Sequence, residues 1–252
     1  MRSFSTLKTA EQYCADKLRQ HDYHSYLSSL FIPSAHRNCV AAIRALNIET
    51  ALVRENVSDS SLGKMKLAWW NNGIDQMYAG NPPNHPVLTV LSEYKSHLSK
   101  AWLKRIIQER EKNMQDPQYL SIADLEQYAE NTASVLMYLE LQAMGVSDVN
   151  ADHTASHIGK AVGITTILRA TPFHIRDRRL YLPTDILMKH SLSSESIFRH
   201  GPSKELEEVV FEIATKANDH LITARSFFDK IPMESFPVML SAVSFLIILH
   251  TS

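Results

Sequence analysis

Glycine and proline are scarce in this chain, with 7 Gly and 10 Pro among 252 residues. Average proteins use the two together at roughly 12 %, so turn-forming residues are in short supply. A β-sandwich or barrel needs such residues every ~10 positions, and a doubly wound nucleotide fold needs Gly-rich βα loops. The chain must instead be built from long helices with few connections. An apolar share of 44 % is ample for one large core and excludes disorder as the main theme.

Helical periodicity supports this. Thr9-x-x-Gln12 has the form of a capping box and predicts a helix over 9–20, and a short helix over 22–31 stops before Pro33. Ser34 is expected to cap a helix with apolar positions at Cys39, Val40, Ile43, Leu46 and Val53. Over 61–78 the predicted stripe is Leu62, Met65, Trp69, Gly73 and Met77, which places Trp69 in the core and leaves Trp70 for a cavity wall or partner surface. Shorter helices follow at 86–98 and 100–113. Ser121-x-x-Asp124 opens a long segment that stops at Gly145, and a further helix spans 151–169. Within it Gly159 and Gly163 lie four apart, which predicts close packing of a neighbouring helix or a ligand there. Residues 171–183 are expected to be irregular, and after two short helices a long one follows Pro202-Ser203. The expected fold is all-α, a bundle of roughly ten helices in one domain.

The charge balance limits partners. With 26 basic and 27 acidic side chains the formal charge is −1, so no global field draws the protein to nucleic acid. Two cysteines, Cys14 and Cys39, without CxxC spacing do not make a disulfide framework or a zinc module. No run of 18 apolar residues encodes a spanning helix. The apolar run over 238–250 is expected to be a core helix, and the first eight residues a frayed terminus or the remnant of a transit peptide.

Motifs remove several enzyme classes. There is no GxSxG, no GxxxxGK[ST] and no HExxH. His153 and His157 share a helix face but lack further ligands nearby, so they are expected to be structural. Asp148 and Asp152 are expected to cap a helix start rather than hold metal.

Four segments carry a resemblance. LGKMKLAWWNNGID (62–75), NPPNHPV (81–87), IIQEREKNMQDPQYLSIADLEQYAENTASVL and above all ILRATPFHIRDRRLYLP (167–183) resemble the squalene/phytoene synthase family, in the family's order and across about 11–243. The resemblance implies the isoprenoid-synthase helical bundle. Active members hold Mg²⁺ on two Asp-rich motifs and release diphosphate from an allylic carbon. Here the second motif carries Ala170 and His174 where metal-binding acids belong, with Phe173 at the intervening Glu, and near the first motif only Glu49 survives, beside Asn47. Arg44 and Arg169 remain as anion contacts, and Arg176, Arg178 and Arg179 precede the YLP turn.

The chain is most similar to a non-catalytic branch of that family, whose implied role is assembly of mitochondrial respiratory complex I, peripheral on the matrix side of the inner membrane. The implied partners are complex I subunits or other assembly factors, with a lipid or isoprenoid as a cavity occupant, no metal, no cofactor and no nucleic acid. The vestigial substrate cavity is expected at Arg44, Asn47, Glu49, Trp70, Gly159, Gly163, Thr166, Arg169, Ala170 and His174. A prenyltransferase with a degenerate site and an isoprenoid- or lipid-binding protein remain as alternatives. After about residue 243 the sequence departs from the family's continuation, which implies a truncated or alternatively spliced form.

Overall fold

The longest helix organises the molecule. In the computed structural model, which describes residues 4–240 apart from 116, this helix runs from Val149 to Arg176. At 1.5 Å per residue its 28 residues extend about 42 Å. Ala151, Ala155 and Ile158 on its first half join one hydrophobic cluster, and Ala161, Ile164 and Ile167 on its second half join another.

In chain order the helices are α1 (Phe4–His21), α2 (Tyr23–Ser29), α3 (Ser34–Ala51), α4 (Ser60–Tyr78), α5 (Pro86–Tyr94) and α6 (Lys100–Lys112). Then come α7 (Ile122–Ala129), a π-helical turn (Glu130–Ser134), α8 (Val135–Ala143) and α9 (Val149–Arg176). The series ends with α10 (Thr184–Lys189), α11 (Ser194–His200), α12 (Lys204–Arg225) and α13 (Phe236–Met239). Among the described residues there is no strand, and the expected all-α class holds. The first cluster draws on α1, α3 to α6, α8 and α13; the second draws on α7 and α10 to α12.

Several helix ends fall where the sequence puts them. Ser121 and Asp124 form a reciprocal capping box on α7, Asp148 accepts from Ala151 N at 2.8 Å to open α9, and Ser203 caps α12. Gly80 and Gly145 take φ of +93° and +72° just past α4 and α8, in the left-handed region where a Cβ is costly.

Other expectations are corrected. Helix α1 begins at Phe4, so Thr9 lies inside it, and Ser34 is the first residue of α3 rather than a side-chain cap. Residues 171–176 are helical rather than irregular, because α9 continues through Pro172, while 177–183 are irregular as expected. Proline removes one backbone donor and disfavours helix in the residue before it. Ile164, Leu168 and Ile175 nevertheless keep helical spacing, and their packing in the second cluster outweighs the lost bond. The helix closes at Arg178, whose φ is +53°, where Arg179 N donates to His174 O at 2.9 Å.

The stripe on α4 is also displaced. The buried residues are Gly63, Leu67, Trp70, Gly73, Ile74 and Met77, so Gly73 and Met77 face inward as expected, while Leu62, Met65 and Trp69 are 49 %, 68 % and 45 % exposed. Trp70 is therefore the core tryptophan and Trp69 the surface one. Two apolar series overlap on this helix, and the one containing Gly63 wins because α4 can approach Met114 closely there. The expectations for residues 1–3 and for the tail beyond 240 lie outside the described residues.

Candidate functional site

A cavity of about 560 Å³ opens where α2, α3, the end of α6, the π-turn and α9 meet. Its wall on α9 exists because of two missing side chains. A Cβ on Gly159 would lie 2.3 Å from Ser134 Cα, and one on Gly163 would lie 2.5 Å from Ala129 Cβ. Glycine at both places lets α7 and the π-turn lie directly on α9, so the close partner is a neighbouring helix. Both glycines also line the cavity. The π-turn places Thr132 and Ala133 on the cavity wall, and such turns recur at functional sites.

Eight of the ten residues expected at the cavity line it: Arg44, Asn47, Gly159, Gly163, Thr166, Arg169, Ala170 and His174. Two do not. Glu49 points to α1, where it accepts from the Tyr13 hydroxyl and pairs with Lys17 Nζ at 3.2 Å. Trp70 packs under His85, with ring centroids 4.7 Å apart.

The cavity is rich in guanidinium groups: Arg44, Arg54, Arg110, Arg169 and Arg179 line it, against the carboxylates of Asp22 and Glu55. Arg44 is tied to two partners. Its Nε donates to Glu140, which is 2 % exposed, and an Nη donates to Ser25 Oγ at 3.2 Å. Burial works against its charge, but the Glu140 carboxylate outweighs that and holds the guanidinium protonated. Arg110 donates to the Tyr128 hydroxyl and to Asn47 Oδ1 at 3.2 Å. Tyr119 sits beside Tyr128 and Tyr181, and burial pushes its phenol well above its ordinary pKa. His174 packs edge-on against Tyr181 at 4.7 Å.

Arg110, Tyr119 and Tyr128 are the cavity residues that sequence reasoning missed as a group. Their only signal is charge and aromaticity on separate helices, which no linear spacing connects.

The family resemblance implies Mg²⁺ in this cavity, and the residues present do not fit it. Positions 170 and 174 offer a methyl group and an imidazole, whereas hard cations need several oxygen ligands. Asp22, one of two carboxylates on the wall among the described residues, caps α2 by accepting from Ser25 N at 3.1 Å. Among the described residues no three His, Cys, Asp or Glu side chains converge to hold a metal ion. His153 instead stacks on Phe227, and His157 shares a hydrogen with His220 at 2.9 Å, whose other nitrogen meets Glu126 at 3.0 Å.

Comparison with known proteins places this geometry. The chain is 47 % identical to NADH dehydrogenase (ubiquinone) complex I, assembly factor 6, of Rattus norvegicus, covering 92 % of this chain and 70 % of that protein. Its counterpart in Homo sapiens is 45 % identical, covering 93 % and 71 %. Among solved structures, a dehydrosqualene synthase in complex with ligand superposes with a TM-score of 0.85 at 18 % identity, over 98 % of this chain and 88 % of that one. At that identity the match shows the fold, which is the isoprenoid-synthase bundle. The family model described as squalene/phytoene synthase matches residues 18–250, and the chain belongs to the squalene/phytoene synthase family.

Proposed function

We propose that this chain is a mitochondrial assembly factor for respiratory complex I and a pseudoenzyme of its family. The observation that carries the reading is the 45–47 % identity, over more than nine tenths of the chain, to proteins named as assembly factor 6. The cavity supports it. Chemistry that ionises an allylic diphosphate needs carboxylate-held metal, and Ala170 and His174 stand at the positions where the family motif carries acids. The proposed location is the matrix side of the inner membrane, as a peripheral protein, since no described helix is long and apolar enough to cross a membrane. The proposed partners are complex I subunits or other assembly factors.

A second reading, a lipid- or isoprenoid-binding role, is favoured by the cavity itself. Its volume of about 560 Å³ lies in the range of small-molecule sites. The two readings are compatible, because an occupant could stabilise the scaffold.

Incubation of the purified protein with Mg²⁺ and farnesyl diphosphate tests the pseudoenzyme claim. Diphosphate release is expected not to exceed one equivalent per protein. Release over many turnovers would make the chain a prenyltransferase.

A further inference from the structure

Helix α4 presents two apolar faces, and only one of them is used by the core. The inner face, from Gly63 to Met77, packs against α5 and α6. On the outer face Leu62, Met65 and Trp69, spaced three and four apart, form a second continuous stripe that is 45–68 % exposed. Exposed Lys64 and Lys66 flank the stripe. No acidic residue occurs from Ser60 to Ile74, and neither lysine has a carboxylate partner among the described residues. At the far end Asp75 is neutralised by Lys100 at 2.7 Å and Lys104 at 2.8 Å. At the near end the Asp59 carboxylate caps the helix by accepting from Ser61 N at 2.8 Å.

We propose that the outer face of α4 is a membrane-docking surface that lies flat on an anionic lipid bilayer, with Met65 and Trp69 inserted and Lys64 and Lys66 on the headgroups. The inference rests on the reading of the protein as peripheral to a membrane and names the surface responsible. Charge complementarity selects a lipid surface as the occupant. An unpaired lysine pair beside an apolar stripe on an exposed helix face is the pattern of interfacial helices. Trp69 strengthens the case, since its amphipathic ring suits the headgroup level. The ring is braced edge-on by Trp70 at 5.1 Å and His85 at 5.7 Å, so little freedom remains to be lost on insertion.

The test is flotation of the full chain with vesicles of phosphatidylcholine alone and of phosphatidylcholine mixed with phosphatidylglycerol. The wild type is expected to bind the anionic vesicles and to release them as salt rises. The pairs Met65→Gln with Trp69→Gln, and Lys64→Glu with Lys66→Glu, are each expected to lower the apparent affinity by about tenfold or more. Thermal unfolding of the lysine pair should match the wild type, and the pair with Trp69→Gln should still unfold cooperatively with Tm lowered only by the lost contacts to Trp70 and His85. Wild-type binding that both pairs retain would overturn the assignment to α4 and leave peripheral association standing. A wild type that does not bind anionic vesicles would overturn the proposal, with the assembly role still testable by complementation. Loss of a dimer in the variants, with vesicle binding unchanged, would show that a second copy covers this face and would also overturn it.

Discussion

Substituting Gly159 by alanine tests the account of how the cavity wall is built. The new methyl group would meet Ser134 Cα at 2.3 Å, Ser134 Oγ at 2.4 Å and Ser134 N at 2.5 Å. Ordinary contact begins at 3.4 Å, so α9 and the π-turn must part by about 1 Å. Two of the three obstacles are backbone atoms and cannot rotate away. Overpacking of this kind costs at the upper end of about 1–3 kcal/mol. The Ser134 hydroxyl bond to Ser156 O, now 2.9 Å, would be strained as well, and is worth about 1 kcal/mol. Alanine returns about 1 kcal/mol through helix propensity. The net loss is about 2–3 kcal/mol, which for a chain of this size lowers Tm by about 4–12 °C. Gly63→Ala is the control, because the added Cβ there meets the terminal Cε of Met114, the movable end of a flexible side chain. Thermal unfolding followed by far-ultraviolet circular dichroism reads both. A Gly159→Ala protein as stable as the wild type, or less affected than Gly63→Ala, would refute the argument.

Further outcomes follow from the same structure. Glu140→Leu leaves the Arg44 guanidinium buried without its carboxylate and should cost about 3–5 kcal/mol in urea unfolding, whereas adding Arg44→Met should recover part of that loss; no recovery would contradict the pairing. Burial, above all, pushes the imidazoles of His85 and His157 below the ordinary 6.5, so their neutral forms favour the folded state. The unfolded chain then binds more protons, and stability should fall as the pH drops through 6.5. His85→Asn, which can still cap α5 at Val87 N, should flatten that decline in urea midpoints. Ser121→Ala removes the hydroxyl arm of the α7 capping box, while the Asp124 carboxylate still accepts from the residue-121 N–H, and should lower stability by about 1 kcal/mol, again by urea unfolding.

The helical class was legible because its evidence is local. The caps at Ser121, Asp148 and Ser203 and the left-handed glycines 80 and 145 are decided within one turn of chain. The face of α4 was not legible, since Leu62, Met65 and Trp69 have the same spacing as the stripe that is buried, and only the partners on α5 and α6 choose between them. The passage of α9 through Pro172 was hidden for the same reason: a local penalty was outweighed by contacts of Leu168 and Ile175 with residues distant in sequence. At the cavity, motif correspondence located Ala170, His174 and the two glycines, yet it placed Glu49 and Trp70 there as well. Neither direction can be read from a linear motif, because Glu49 answers to Tyr13 and Lys17, and Trp70 to His85.

Complementation of cells lacking the protein tests the central claim most directly. Assembled complex I is quantified by native electrophoresis with and without the protein, then after rescue by the wild type and by Glu49→Gln, which removes the last acid near the first family motif but keeps a hydrogen-bond acceptor for Tyr13. The account predicts that complex I falls on deletion and returns fully with both forms. Normal complex I without the protein, or rescue by the wild type alone with Glu49→Gln still folded, would contradict it.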